Sequence, residues 1–160
     1  MPLRSDWSSA SCPIARSLDV LGDPWVLLIA RQAFYGTRRF ADFRERLDIA
    51  DNVLSRRLAI MVEAELLQRV PYRDDKRTRD EYVLTAAGED LLPILHAMVL
   101  WAAKHEPHPD LPVLEILHRT CGATTTSADH CTGCGAELHA DEVSWLRPGA
   151  RTRVLVGAPD

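Results

Sequence analysis

No apolar run in this sequence approaches the roughly 20 residues of a membrane span, and the opening MPLRSDWSSASCP holds no apolar core of the kind a secretory leader carries. A cytoplasmic protein with no membrane partner is expected. There is no P-loop, no Gly-rich dinucleotide turn and no H-E-x-x-H pairing. The six histidines (His96, His105, His108, His118, His130 and His139) do not fall into a catalytic pattern with a nucleophile or acid–base partner, so an enzyme is not expected. Cysteine is scarce: Cys12 stands alone, while Cys121, Cys131 and Cys134 lie together. In a reducing compartment, that grouping favours metal over structural disulfides. A surplus of positive charge is also lacking, with 19 Lys and Arg against 23 Asp and Glu, a net charge of −4. The total hides an uneven spread. Residues 36 to 80 hold 11 basic and 9 acidic residues, so the basic excess sits in one segment and the rest of the chain is acidic. Small DNA-binding proteins are often acidic overall and basic on one face.

What is present suits one globular domain and a small appendage, at 160 residues and 46% apolar content. The chain is organised around residues 37 to 85. Winding residues 50 to 65 at 100° per residue puts Leu54, Leu58, Met61 and Val62 on one face of a helix. Asn52, Arg56, Ala59 and Glu63 fall opposite, with Ser55 at the edge. One face is core, and the other carries the small and hydrogen-bonding groups that a helix in a DNA major groove needs. Arg38 and Arg39 precede a short helix reaching about Leu47, and Asp48-Ile49-Ala50 is the turn between the two helices. Residues 66 to 84 read as two strands joined by a hairpin loop, Arg73 to Asp80, with Lys76, Arg77 and Arg79 at a basic tip.

Upstream, residues 1–11 read as a mobile tail. Ser11 is the expected cap of a first helix striped with Ile14, Leu18 and Leu21. Asp23 is the expected cap of a second helix, Trp25 to about Phe34, apolar nearly all round and so central. Downstream, Thr85 caps a helix expected to reach about His105, with Pro93 as a kink. Its segment LLPILHAMVLW has more apolar surface than one stripe requires, which points to a second copy of the chain or to cover from the C-terminal segment. The domains are therefore read as 12–106, a proline-rich linker 107–116 and a C-terminal module 117–160, with Pro148-Gly149 a turn and Val154-Leu155-Val156 a short extended stretch.

Residues 12 to 105 resemble the HxlR family of bacterial transcription regulators, relatives of the MarR type with a winged helix-turn-helix fold. The matching marks are Cys12-Pro13, Leu21-Gly22-Asp23 with Trp25, Arg39-Phe40, Leu54-Ser55 with Arg57-Leu58, and Glu81-Tyr82 with Leu84-Thr85 and Gly88. The wing lacks the proline often found before its arginine, and the chain extends beyond the usual final helix. The fold expected is mainly α with a small β-wing, plus a small zinc-ribbon-like β module. The resemblance implies a homodimer on a partly palindromic double-stranded operator, acting as a repressor of an adjacent gene and relieved by a small-molecule effector or a thiol-reactive signal. A winged helix that binds a ligand or a protein, and not DNA, is the alternative. A ligand pocket is expected near Trp25, Phe34, Trp101 and the linker.

On that fold Asn52, Ser55 and Arg56 are placed to read bases. Arg57 is nearer the core edge and suited to a phosphate, Arg38 and Arg39 to the backbone, and Lys76, Arg77 and Arg79 to the minor groove or flanking phosphates. In some members of the family a cysteine at the position of Cys12 senses electrophiles or oxidants. Thiolate is the reactive species and a helix N-terminus favours it, with Arg16 one turn on. The other reading of Cys12 is a small residue packed at the dimer interface.

The C-terminal cluster reads H-x2-C, then C-x2-C: His118 and Cys121, then Cys131 and Cys134, each pair followed by glycine. Such pairs resemble the knuckles of a zinc ribbon, and three thiolates with one imidazole fill a tetrahedral Zn2+ site with no open position. Metal would supply the core that this module otherwise lacks. His130 and His139 compete with His118 for the fourth place. A metal-free ribbon, a Cys131–Cys134 disulfide and a redox or metal sensor remain as alternatives.

Overall fold

A computed structural model describes residues 6–74, 77–110, 114–146 and 153–155. Lys76, Pro148-Gly149 and Val156 lie outside the described residues.

Two helices build the base of the molecule. Helix α1 (Pro13–Leu21) starts at proline, which needs no N–H partner there. Its N-cap is Cys12, not Ser11, and no side chain caps it. Helix α2 (Pro24–Phe34) is capped by Asp23, whose carboxylate accepts from the Trp25 N–H at 3.0 Å. Val26, Ile29, Ala30 and Phe34 are buried, making α2 the centre of the core. Gly36, at φ 88°, ends it in a conformation that a side chain would strain.

Helix α3 (Phe40–Leu47) and helix α4 (Asp51–Glu63) form the helix-turn-helix. Asp48 closes α3 in the left-handed region, at φ 49°. Phe43, Ile49, Leu54, Leu58 and Met61 are buried, so the apolar stripe of α4 faces α2 as its spacing requires. Strands β1 (Leu67–Asp74) and β2 (Arg77–Leu84) are antiparallel, with Asp74 opposite Arg77. The expected loop from Arg73 to Asp80 is therefore mostly strand. The ladder bonds are backbone bonds, and a ribbon wet on its faces needs no apolar side chains to extend.

The expected kinked helix is also corrected. Helix α5 (Ala86–Glu89) stops and helix α6 (Leu92–His105) restarts with Pro93 in its first turn. A proline inside one continuous helix would clash with the carbonyl four residues back. Residues 86–105 together have the length and hydropathy of a membrane crossing, but they are divided at Asp90-Leu91, and Leu92, Leu95 and His96 are buried in the core. Gly88 marks where α5 packs against the residue before β1: a Cβ there would lie 2.1 Å from the Leu66 carbonyl oxygen.

The C-terminal residues form an antiparallel sheet ordered β4-β3-β5-β6. Its strands are β3 (Glu115–His118), β4 (Thr124–Thr125), β5 (Val143–Leu146) and β6 (Arg153–Leu155). The sheet begins inside the stretch read as linker and shares the core of the helices. Trp145, 1% exposed, packs edge-on to Tyr35 at 5.0 Å and tilted to Phe34 at 6.0 Å. Its indole N–H donates to His96 Nε2 at 2.9 Å, and His96 Nδ1 lies 2.9 Å from the Ala128 carbonyl. The neutral imidazole with its proton on Nδ1 satisfies both partners.

Burial lowers the His96 pKa below its ordinary 6.5, against a smaller upward pull from the Ala128 carbonyl. Protonation would also set two N–H donors against each other. The unfolded chain takes up this proton near pH 6.5 and the native chain only below it. The stability His96 contributes is thus complete above about pH 6.5 and is lost as pH falls through the lowered native value. Thermal melts from pH 8 to 5 should fall more steeply on the acid side for the native chain than for His96→Leu. Parallel profiles would contradict this.

Candidate nucleic-acid interface and metal centre

The exposed face of α4 carries Asn52, Ser55 and Arg56 to solvent, opposite the buried Leu54, Leu58 and Met61. The Asn52 Oδ1 accepts from the Val53 N–H at 2.9 Å, at the first turn of the helix. Arg44 on α3 pairs with Asp51 at 3.5 Å across the turn.

Other arginines have structural partners that sequence spacing did not show. Arg57 Nε sits 2.5 Å from Asp23 Oδ2, tying α4 to the cap of α2. Its side chain is 21% exposed, so the phosphate contact expected of it would compete with this pair. Arg39 pairs through Nε with Glu81 Oε1 at 3.3 Å and lies 4.7 Å from the centre of the Tyr72 ring. The Arg38 carbonyl accepts from the Tyr82 N–H at 2.8 Å. The chain entering α3 is thus stitched to the wing. Arg77 and Arg79 are exposed on β2. Phe34, expected beside a ligand pocket, packs against the chain's own Trp145, with ring centres 6.0 Å apart. Trp101 is exposed, tilted over His105 at 5.2 Å.

Cys12 is exposed at the start of α1. Arg16 turns back beside it, donating through Nη1 to the carbonyls of Ala10 at 2.7 Å and Ser11 at 3.0 Å.

The second centre lies at the end of the C-terminal sheet. His118 ends β3, and Cys121, Cys131 and Cys134 sit on two tight turns, so that all four ligand atoms lie within 4.8 Å of one another. His118 Nδ1 is 3.3 Å from Cys121 Sγ and 3.4 Å from Cys134 Sγ, and Cys121 Sγ is 3.5 Å from Cys131 Sγ. A tetrahedral ion with bonds of about 2.0 to 2.3 Å needs ligand separations of about 3.5 to 3.8 Å, so the donor set fits one. Gly122 at φ 75° and Gly135 at φ 78° close the turns, donating to the carbonyls of His118 and Cys131 at 2.8 Å each. The Gly133 N–H donates to Cys131 Sγ at 3.4 Å. Burial raises the Cys131 thiol, but the N–H groups of Cys134 and Gly133 and the neighbouring thiols outweigh it and bring the pKa down to about 6. His118 Nε2 faces Glu142 at 3.8 Å, as an imidazole ligand usually faces a carboxylate. Neither competing histidine belongs to the cluster. His130 is held by Asp129 at 2.8 Å and Ser127 at 2.9 Å, and His139 is exposed at the start of a short 3-10 turn.

A family model for the HxlR-like helix-turn-helix matches residues 20–110. An uncharacterized HTH-type transcriptional regulator of Mycobacterium tuberculosis, Rv3095, is 40% identical over 131 residues, 82% of each chain. That match is too long to stop before the C-terminal sheet. YvaP of Bacillus subtilis, likewise described as an HTH-type transcriptional regulator, is 37% identical over 101 residues, 60% of this chain and 90% of its own. Among solved structures, PA1607, described as a candidate transcription factor, superposes with a TM-score of 0.69 at 34% identity, covering 92% of this chain and 100% of its own. The redox regulator HypR in its reduced form superposes at 0.54 with 27% identity, covering 59% and 94%. With its helix-turn-helix, its wing and these relatives, the chain belongs to the HxlR-like helix-turn-helix family and is a DNA-binding transcriptional regulator.

Proposed function

We propose that the chain acts as a homodimer that represses an adjacent gene from a partly palindromic operator. The observation that carries this reading is the solvent face of α4, where Asn52, Ser55 and Arg56 stand opposite a fully buried stripe. Asparagine pairs best with adenine and arginine with guanine. Arg38, Arg39, Arg77 and Arg79, with Lys76 beyond the described residues, supply phosphate or minor-groove contacts on either side. Arg57 acts first as the partner of Asp23 and reaches a phosphate from there.

The dimer reading is supported by Ile94, Met98 and Trp101, one row of α6 that is 41% to 58% exposed, and by Ile14 and Leu18 exposed on α1. Such rows are expensive to leave in water, and a second copy covers them with two-fold symmetry. His118, Cys121, Cys131 and Cys134 hold one Zn2+ that closes the sheet and has no open position for chemistry. Relief of repression comes from a small molecule or a thiol-reactive compound. Cys12 is the exposed thiol of the helical part, and the neighbour HypR is named a redox regulator.

A hydroxyl-radical footprint on the DNA upstream of the chain's own gene should show two protected half-sites about 10 base pairs apart, or a multiple of that. Met98→Glu should yield monomers by sedimentation and lose the paired footprint. A single asymmetric footprint from a protein that stays monomeric would overturn the dimer.

A further inference from the structure

The metal cluster and the helix-turn-helix are joined by one continuous set of contacts. On the sheet, His118 is opposite Val143 and Ile116 is opposite Trp145, with the pair Leu117–Ser144 between them, so the ligand and the tryptophan lie on the same face. Trp145 reaches Phe34 and Tyr35 and donates to His96. His96 in turn holds the Ala128 carbonyl, in the segment between β4 and Cys131. His96 thus bridges β5 and the loop that leads to Cys131. Tyr35 ends α2, and three residues later Arg38 and Arg39 enter α3 and bond to the wing through Tyr82 and Glu81. No spacer separates the cluster from the DNA-facing arginines. The sheet has few buried apolar residues of its own, so closing the ligand cluster at its end adds to what holds Trp145 against Phe34, Tyr35 and His96.

We propose that occupancy of the Cys121–Cys131–Cys134–His118 centre is transmitted by Trp145 and His96 to Arg38, Arg39 and the wing, so that the metal-loaded chain binds its operator more tightly than the metal-free chain. The inference rests on the readings above that this centre takes zinc and that the helix-turn-helix binds DNA. Metal state is then a second input to the regulator. Linkage makes the effect reciprocal: operator DNA tightens zinc binding by the same factor.

The test uses the full chain, loaded with zinc or stripped by chelator under reducing conditions, with metal content measured by elemental analysis. Operator affinity, helical circular dichroism and zinc affinity by competition with a chromophoric chelator are followed together. Removing zinc should weaken operator binding about tenfold, within the usual range of coupling between sites, with helical signal retained and affinity restored by added zinc. Operator DNA should raise zinc affinity by a similar factor. Trp145→Phe keeps a ring in place but has no N–H, and His96→Leu has no acceptor. Both should still bind one zinc per chain while the response falls to about threefold or less. A chain that holds one zinc and binds operator equally with and without it overturns the coupling and leaves the zinc site standing. Loss of helix together with binding also overturns it, as plain unfolding. A chain that takes up no zinc overturns the metal reading and this inference at once, and one that fails to bind DNA in either state overturns the DNA reading with it.

Discussion

Cys131→Ser is expected to strip the chain of stoichiometric zinc and to melt the four-stranded sheet while the helices persist. Cys131 is the most enclosed of the three thiols, 1% exposed, with its sulfur 3.5 Å from that of Cys121. Its pKa of about 6 makes it thiolate at neutral pH, the form that binds metal. Serine offers neither the charge nor the soft donor. The sheet shares Trp145 with the helical core but has few other buried apolar side chains. The buried apolar side chains of its strands are Ile116, Leu117, Val143 and Trp145, with Leu138 beside them, each contributing about 1.5 to 3 kcal/mol when buried. In small zinc-dependent folds, metal binding contributes about 10 to 16 kcal/mol of folding free energy. Elemental analysis and amide exchange over residues 114–146 are the measurements. Zinc absent and protection lost is the expected result. A variant with full protection and no metal would show that the ribbon stands without an ion.

Arg56→Ala should weaken operator binding by about 1 to 3 kcal/mol, roughly five- to 150-fold, and relax discrimination at one base pair. Arg56 is exposed on α4, while its neighbour Arg57 is turned inward onto Asp23. The two arginines therefore predict different phenotypes. Arg57→Ala should act through stability and lower affinity alike on all sequences, because it frees α4 from the cap of α2. Binding titrations on a set of single-base operator variants separate the two. Arg56→Ala with unchanged sequence preference would remove it from base recognition and leave it a phosphate contact.

The parts of this molecule governed by local periodicity could be read from the chain. Leu54, Leu58 and Met61 repeat at helical spacing and are all buried. His118, Cys121, Cys131 and Cys134 carry their geometry in their spacing, because a pair with two residues between its members on a glycine turn has little freedom in where it points. Asp23 and Thr85 were visible as caps because capping is a local bond. What escaped was set by distant partners. Trp145 stands in a polar segment, and nothing near it shows that its N–H meets His96, 49 residues upstream. Arg57 and Asp23 are likewise far apart in sequence, so a surface arginine and a helix cap were each read alone. The outer wing strands carry polar side chains with no burial signal, although the backbone ladder runs on to Asp74 and Arg77. The break before Pro93 differs from the expected kink, because a sequence places a proline but does not decide whether the helix bends or restarts there.

The most direct test of the whole reading is the affinity of the zinc-loaded protein for a duplex from its own upstream region, against a scrambled duplex, over a series of salt concentrations. Binding should be tight on the native duplex and weak on the scrambled one, with the logarithm of affinity falling linearly as the logarithm of salt rises. Equal and weak binding to both duplexes at every salt concentration would contradict sequence-specific recognition by α4 and the wing.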